Sequence, residues 1–324
     1  MHAVVAQSLG DASVLQWVET PEPKPEPGKV VISVGLTGVN FADIMARRGS
    51  YHSGRKPPFI PGLDCVGTIV AIGDGVQGLR VGQRVCAFPE GGTYAETVSA
   101  SAVRTYPIDS NISDEAAASA LMLVTAYNCL TLAGRLARGE SVLVHAAAGG
   151  VGSIAVQMAR KLGAGKIFAT AGSEEKLAVA REAGADVAID YTKHDVGKAI
   201  LDETNGRGVD VILDSVAGDV FNNSLQALAT FGRHVIYGIA SGKPGTALTN
   251  LLHPENRAVV GYSTGNYLKN KPEALRPGVE ASLRMVADKA VNVLVGARYP
   301  LKDAADAHRY VEDRKSRGKV ILEP

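Results

Sequence analysis

The sequence predicts an α/β fold in two domains, one β-rich and one a doubly wound parallel sheet. Three observations carry this. The chain has 324 residues, too many for one small core and enough for two domains. Up to about residue 110, short β-branched runs are separated by glycine turns. From Ser141 onward, strand-like and helix-like segments alternate, the pattern of a parallel sheet covered on both faces.

In the first part, VVISVGL, VGTIVAI and RVCAF are the predicted strands. PEPKPEP, residues 21–27, has proline at every second position and reads as an extended connector. The stretch 67–88, GTIVAIGDGVQGLRVGQRVCAF, is dense in glycine and valine and predicts a strongly bent barrel or half-barrel. Near residue 114 the character changes. DEAAASALMLVTAYNCLTLAGRLA is rich in alanine and leucine, with Asp114 and Glu115 where a helix start favours acids.

The alternation then begins. SVLVHA precedes the helix VGSIAVQMARKLG, and KIFATA precedes SEEKLAVAREAG. DVAIDY precedes a helix near DVGKAILDETN. DVILDSV precedes a helix at NNSLQALATFG, and the strand RHVIYGI follows. RAVVGYS, residues 257–263, is placed at the sheet edge. The C-terminal part reads helix, short strand, helix, strand, and the last strand is expected to rejoin the first domain. No internal repeat or low-complexity tract interrupts the chain.

Composition removes several function classes. Hydrophobic residues make up 46% and charged residues 21%, so the chain is a folded soluble protein rather than a disordered one. A net charge of +1 gives no electrostatic case for nucleic acid or an acidic membrane. Trp17 and the phenylalanines form no stacking stripe for nucleic acid. No run approaches a membrane span, and MHAVVAQ lacks the basic flank and apolar core of a secretory signal. Cys65, Cys86 and Cys129 are odd in number and widely spaced, which indicates neither a disulfide framework nor a zinc knuckle. A reducing cytoplasm is the expected home.

Chemistry enters at residues 142–164, VLVHAAAGGVGSIAVQMARKLGA, a strand, a glycine turn and a helix. Gly149 and Gly152 fit the second and third glycines of a dinucleotide fingerprint, with Ala147 in place of the first. Gly149 lets the backbone approach a pyrophosphate, and Gly152 lets the helix pack on its strand. Gly150 and Val151 complete the turn, and the helix amides face the anion. The next strand ends at Ala171-Gly172-Ser173. An NAD enzyme places an acidic residue there to hold the ribose hydroxyl. Gly172 stands in that place, and Ser173 and Lys176 suit a 2′-phosphate. Glu174 and Glu175 compete with that reading, although the first turn of a helix capped by Ser173 accounts for them. The balance favours NADP(H).

Four segments, HAAAGGVG, NFADIMARRGSY, PGLDCVG and RGKVIL, resemble the zinc-free quinone oxidoreductases of the medium-chain dehydrogenase/reductase superfamily. The similarity spans essentially the whole chain in order. The A-x-x-G-x-x-G variant, here Ala146, Gly149 and Gly152, is a mark of that branch. The resemblance implies a GroES-like catalytic domain built from residues 1–119 and 263–324, with a Rossmann domain, residues 120–262, inserted between them. It also implies NADPH and a homodimer joined along the edge strand of the Rossmann sheet.

Zinc alcohol dehydrogenases share that fold and hold a catalytic metal on two cysteines and a histidine. This sequence has Asn40, Leu63 and Leu121 at the matching positions, and leucine cannot ligate zinc. The four-cysteine structural lobe is missing, with Gly91 and Gly92 marking its loop. The expectation is therefore no metal.

A quinone takes hydride readily and needs orientation plus hydrogen-bond donors near the developing oxyanion. Asn40, Asp43 and Tyr51 match the family's N-x-x-D and following tyrosine, and are expected beside nicotinamide and substrate. Asn40 and Tyr51 are read as donors, and Asp43 as a group that orients neighbours rather than a base. A turn residue and a helix cap are the plain structural roles of Asn40 and Asp43. Thr125 and Tyr127 match the stretch that touches the nicotinamide, with Val124 where the family has a smaller residue. Tyr191 matches a residue near the adenosine phosphate, and Gly238, Ile239 and Ala240 match the loop passing the nicotinamide ribose. Tyr262, Ser263 and Thr264 match a further cofactor-edge segment, and Arg317 could reach the 2′-phosphate. His145 is read as a packed histidine, Cys65 and Cys86 as inert core.

The leading reading is an NADPH-dependent quinone reductase with the quinone in a cleft between domains. A reductase of activated C=C bonds in enones, enals or an enoyl thioester is the second. A binding role without turnover, as in lens crystallins or RNA-binding relatives, is the third. Arg47, Arg48, Arg55 and Lys56 would suit an anionic substrate but are read as solvated surface. The segments SYHSGRKPP and STGNYLKNKPEALRPG are read as mobile loops walling the pocket.

Overall fold

The protein is described from a computed structural model covering residues 1–51 and 54–324. His52 and Ser53 of the SYHSGRKPP loop lie outside the described residues. Two compact units form: Met1–Leu121 with Gly265–Pro324, and Met122–Thr264.

The first unit opens with an antiparallel pair, β1 (His2–Ala6) and β2 (Leu15–Glu19). β3 (Lys29–Val39), α1 (Phe41–Arg47), β4 (Cys65–Ile72) and β5 (Arg84–Ala87) follow. After them come β6 (Thr97–Ser101), β7 (Thr105–Pro107) and α2 (Asp114–Ala117). The proline-rich connector is without regular structure, because proline withholds the N–H that a ladder or helix needs. Ser113 starts α2 by accepting the Ala116 N–H on its hydroxyl. The helix predicted from residue 114 onward is not continuous. It is α2, then α3 (Ala120–Asn128), then a π-helical turn at Cys129–Ala133. At the break the Ser119 hydroxyl bonds back to the Glu115 carbonyl at 2.7 Å, a local competition that bends helices.

The second unit alternates as the sequence predicts. Its elements are β8 (Val142–Val144), α4 (Gly150–Lys161), β9 (Ile167–Ala171), α5 (Glu174–Glu182) and β10 (Val187–Asp190). Then come α6 (Val196–Glu203), β11 (Val209–Asp214), α7 (Asp219–Gln226), β12 (Leu228–Ile236) and β13 (Ala258–Gly261). Every pairing is parallel, and the spatial order is β10-β9-β8-β11-β12-β13. The chain therefore starts in the middle, winds outward one way, then returns and winds the other, with the reversal between β8 and β11. β8 and β11 are buried throughout, as strands covered on both faces must be. The helix predicted over NNSLQALATFG stops at Gln226, and the rest of that stretch begins β12. Leu228 pairs with Val209, and a register shift at Val209/Val211 absorbs the irregular residues between. Pairing with β11 decides the state of a segment whose local propensity fits either.

The chain ends with α8 (Thr264–Asn270), α9 (Arg276–Ala287), β14 (Val295–Pro300), α10 (Ala304–Glu312) and β15 (Lys319–Glu323). STGNYLKNKPEALRPG is thus largely helical: α8, a 3-10 turn at Pro272–Leu275, and the start of α9. β15 pairs antiparallel with β3 and parallel with β14, so both chain ends build one sheet of order β14-β15-β3-β4-β5-β7, with β6 also on β3. Val30, Ile32, Cys65, Ile69, Val85 and Ala87 fill one face of it.

The turn before α4 depends on a missing side chain. A Cβ on Gly152 would stand 2.4 Å from the Ala146 carbonyl oxygen and 2.8 Å from the Ala147 Cα. On Gly149 it would meet only the Ala146 oxygen, at 3.2 Å. Gly152→Ala is expected to lower stability by about 1–3 kcal/mol, the usual cost of overpacking, while Gly149→Ala stays within about 1 kcal/mol. Urea unfolding of the two variants checks this.

Candidate active site

In the first unit, β3 delivers Asn40 to the start of α1, and a buried polar cluster forms around it. Asn40 Nδ2 donates to Asp64 Oδ1 at 2.7 Å and to the Gly38 carbonyl at 3.2 Å. Asn40 Oδ1 accepts from Lys319 Nζ at 2.9 Å. Lys319, in β15, is fully buried and lies 3.5 Å from Asp64 Oδ1. The amide orientation follows from chemistry: an ammonium only donates, a carboxylate and a peptide carbonyl only accept. Lys319 passes under Gly38, where any Cβ would lie 2.0 Å from its Cε. Both Nδ2 hydrogens of Asn40 are therefore spent. This corrects its expected role as a donor, because only a lone pair on Oδ1 is left.

Asp64 also accepts the Leu121 N–H on Oδ2 at 3.0 Å. Two of the three positions matched to zinc ligands, Asn40 and Leu121, are thus joined by the Asp64 carboxylate, which also pairs with Lys319. Among the described residues, no group of three His, Cys, Asp or Glu side chains could hold a metal ion.

Asp43 lies in the first turn of α1 and accepts the Asn40 N–H on Oδ2 at 2.8 Å. The Tyr94 hydroxyl donates to the same oxygen at 3.3 Å, and Tyr94 meets His308 Nε2 at 3.0 Å. Burial pushes the Asp43 carboxyl up to about 7, helped by Asp64 and opposed by the Asn40 N–H, Lys319 and Arg55. Burial pulls His308 down to about 3, so its ring is neutral. Burial, with Asp43 nearby, pushes the Tyr51 phenol up to about 12, so it keeps its proton and remains a donor.

Of the basic run beside this cluster, Arg48 and Lys56 are exposed, as expected of solvated surface, but Arg47 and Arg55 are not. Arg47 is fully buried and pairs with Glu312 of α10, which also holds Arg48 at 2.5 Å. Arg55 donates to the Ile60 and Glu90 carbonyls at 2.8 and 3.0 Å. Arg317, exposed in the turn before β15, is the remaining candidate of this unit.

In the second unit the glycine turn follows β8 at the point where the strand order reverses, where open sheets of this kind bind ligands. Ala146 takes a left-handed φ of +50°, an unusual conformation for alanine. Its carbonyl accepts the Gly149 N–H at 2.9 Å, and the Ala147 N–H donates to Thr170 at 3.0 Å. Gly149 caps α4 with no side chain, so no cap competes for the amides of Gly150, Val151 and Gly152. The turn can therefore offer N–H groups and a helix N-terminus to a phosphate. His145, before it, bonds Thr170 and Ser224, and burial holds it neutral, down to about 4.

After β9, Gly172 leaves room for a tyrosine: a Cβ there would lie 2.5 Å from Tyr191 Oη. Ser173 caps α5 through the Lys176 N–H. Gly172, Ser173, Lys176 and Tyr191 thus gather at the C-terminal ends of β9 and β10. Gly238, Ile239 and Ala240 follow β12, and Ala240 donates to the Ser215 carbonyl at 2.9 Å. Thr125 Oγ1 lies 2.7 Å from Thr264 Oγ1, which donates to Tyr262 Oη at 3.2 Å. Asn128 Nδ2 donates to the same Tyr262 oxygen at 2.9 Å. The structure therefore joins Thr125 to the Tyr262–Ser263–Thr264 segment in one hydrogen-bonded cluster. A groove of about 610 Å³ opens at the opposite, N-terminal strand ends, but its Lys166 and Arg207 are paired with Glu203 and Asp210. It holds none of the candidate residues.

Two family models match the chain, an alcohol dehydrogenase GroES-like domain at residues 26–110 and a zinc-binding dehydrogenase at 150–279. Escherichia coli quinone oxidoreductase, solved with NADPH, is 31% identical, with 100% of both chains covered and a TM-score of 0.93. The chain belongs to the quinone oxidoreductase family of the medium-chain dehydrogenase/reductase superfamily.

Other members extend the comparison. A mycobacterial protein solved with NADPH is 35% identical, with 100% of each chain covered and a TM-score of 0.93. The chain is also 35% identical, over 97% of its length, to a phenolphthiocerol/phthiocerol polyketide synthase subunit of Mycobacterium tuberculosis. It spans 14% of that much longer protein. As in the family, the first unit is GroES-like and the second is Rossmann-like, and the protein is an oxidoreductase of this superfamily.

Sequence reasoning missed Asp64 and Lys319. Their signals were present, because each is a charge set directly against an apolar strand, in PGLDCVG and in RGKVIL. It also missed Asp214 at the end of DVILDSV.

Asp43 generates a pH prediction. Its folded value of about 7 exceeds the ordinary 3.8, so the native state holds this proton more tightly than the unfolded chain. Its contribution to stability is therefore full at acid pH and is lost as pH rises through about 7. His145 and His308, kept neutral when folded, act the other way over part of that range. The readout is accordingly a difference. Asp43→Asn should gain stability relative to wild type as pH rises from 5 to about 8, measured by urea unfolding. A difference that is flat or falls with pH would refute the assignment.

Proposed function

We propose that the protein is an NADPH-dependent reductase that acts on quinones without a metal. The observation that carries the cofactor half is the group at the ends of β9 and β10. Gly172 makes room for Tyr191, Ser173 and Lys176 sit in the adjoining helix start, and no carboxylate takes the ribose-binding place. A 2′-phosphate fits that set better than a free hydroxyl. The glycine turn suits the cofactor as well. The Cβ absent from Gly149 would meet one atom only, so its face is open to a pyrophosphate.

When bound, a nicotinamide would supply the hydride, and the chain's own residues would orient the acceptor and donate to it. Tyr51 keeps its phenolic proton and is the donor suited to the oxygen on which negative charge develops. Asn40 offers an acceptor from a side chain locked by Asp64 and Lys319. Asp43, at about 7, exchanges its proton near neutrality. A hydroquinone anion also takes its proton from solvent, so no strong acid is required of the protein. Leu63 and Leu121 in place of ligands support hydride transfer without a Lewis acid.

A second reading, reduction of an activated C=C bond, is supported by the 35% identity to a polyketide synthase subunit. In both readings a conjugated carbonyl takes hydride and leaves charge on oxygen, so the same residues serve.

The test is NADPH oxidation by metal-stripped protein, with NADH as control and a benzoquinone, a polycyclic quinone and a simple enone as acceptors. Quinone turnover with NADPH that chelator leaves unchanged is expected. Turnover with the enone alone would transfer the assignment to double-bond reduction. Preference for NADH would overturn the roles of Gly172, Ser173 and Lys176.

A further inference from the structure

We infer that Asp214 is a positioning residue for the nicotinamide half of the cofactor, acting through the turn that follows β11. The inference rests on the proposed NADPH-binding function and on the place beside the nicotinamide ribose that the family resemblance implies for Gly238, Ile239 and Ala240.

Asp214 is the last residue of β11 and is fully buried. Its Oδ1 accepts two backbone N–H groups, Val216 at 2.7 Å and Ala217 at 2.9 Å. Those bonds hold a turn that the chain would not adopt freely. Ala217 has φ +62° and Gly218 has φ +60°, and left-handed geometry is unfavourable for alanine. The other oxygen, Oδ2, lies 3.3 Å from His234 Nε2 in β12. A carboxylate only accepts, so the ring proton sits on Nε2. Nδ1 is then a bare lone pair, with no partner among the described residues. A buried lone pair costs less than a buried unpaired N–H, so Asp214 also selects the tautomer.

The turn is a template for the next loop. Its Ser215 and Val216 carbonyls accept the Ala240 and Ser241 N–H groups at 2.9 and 3.0 Å. Gly238 packs so closely on Ser215 that a Cβ would lie 2.8 Å from the Ser215 oxygen. Through this path one carboxylate fixes where Gly238, Ile239 and Ala240 run. Without it, one buried and one half-buried N–H lose their acceptor, Ala217 loses what holds it left-handed, and the loop loses its support. The adenosine end of the site, at Gly172–Lys176 and Tyr191, is built from β9, α5 and β10 and shares none of these bonds.

The experiment is isothermal titration of the full chain with NADP⁺ and with 2′,5′-ADP, which carries only the adenosine end. Asp214→Ala should weaken NADP⁺ by about tenfold or more and leave 2′,5′-ADP within about twofold. Asp214→Asn keeps an oxygen for both N–H groups and turns its amide N–H₂ to His234, whose proton moves to Nδ1; the turn stays held, so NADP⁺ should stay within about threefold even where stability falls. Equal losses for both ligands, or no loss of NADP⁺ in Asp214→Ala, would overturn the inference. If Asp214→Ala does not fold, the same titration is made with Ala217→Gly added, since glycine removes the left-handed penalty. Failure of that double variant to fold would assign Asp214 to the fold alone. The underlying reading fails separately, if the wild type binds NADP⁺ no more tightly than 2′,5′-ADP.

Discussion

The buried ammonium of Lys319 is the interaction on which the GroES-like unit depends. It comes from the last strand, crosses beneath Gly38 of β3, and ends between Asn40 and Asp64. A charge this deep is stable only when paired and hydrogen-bonded. The amide, the carboxylate and the absent Cβ of Gly38 are therefore parts of one solution. Its consequence is topological, because the chain end must return to β3 for Asn40, a candidate site residue, to be held. That is why a unit begun by residues 1–121 is completed only by residues 265–324.

The same cluster explains how a dehydrogenase framework is held together at the positions matched to zinc ligands. Where a metal would join three ligands, Asp64 joins a side-chain amide, an ammonium and a backbone N–H. Such a junction orients donors and acceptors but offers no Lewis acid. In the proposed function, the chemistry given to the site is hydride transfer to an acceptor that already spreads its charge, with Tyr51 as the proton-bearing group.

In the Rossmann-like unit the backbone carries most of the chemistry. Ala146 and Ala217 both accept left-handed geometry, one in each of the two turns at the strand reversal, and both turns are held by hydrogen bonds from neighbouring strands or residues. Strain of this kind persists only where the surroundings over-determine it, and it gathers at functional sites. The two ends of the proposed cofactor site are built separately, one from α5 and Tyr191, the other from the turn after β11. That division allows the phosphate end and the nicotinamide end to be tuned apart.

The sequence by itself determined the fold class, because hydrophobic periodicity and glycine spacing are local properties. It placed β8, the turn and α4, the Ser173 cap, and the edge strand β13. It also made Leu63 and Leu121 unfit as ligands. Tertiary structure alone decided the break between α2 and α3, and the conversion of LATFG from helix into β12. It turned the basic run at Arg47 into a buried pair with Glu312, 265 residues away in the chain. It reversed Asn40 from donor to acceptor, because Lys319 and Asp64 reach it from segments remote in sequence. The physical reason is common to all four. Propensity and spacing act over a few residues, whereas a hydrogen bond's direction, a carboxyl's proton and a strand's partner are fixed by whatever folding brings alongside.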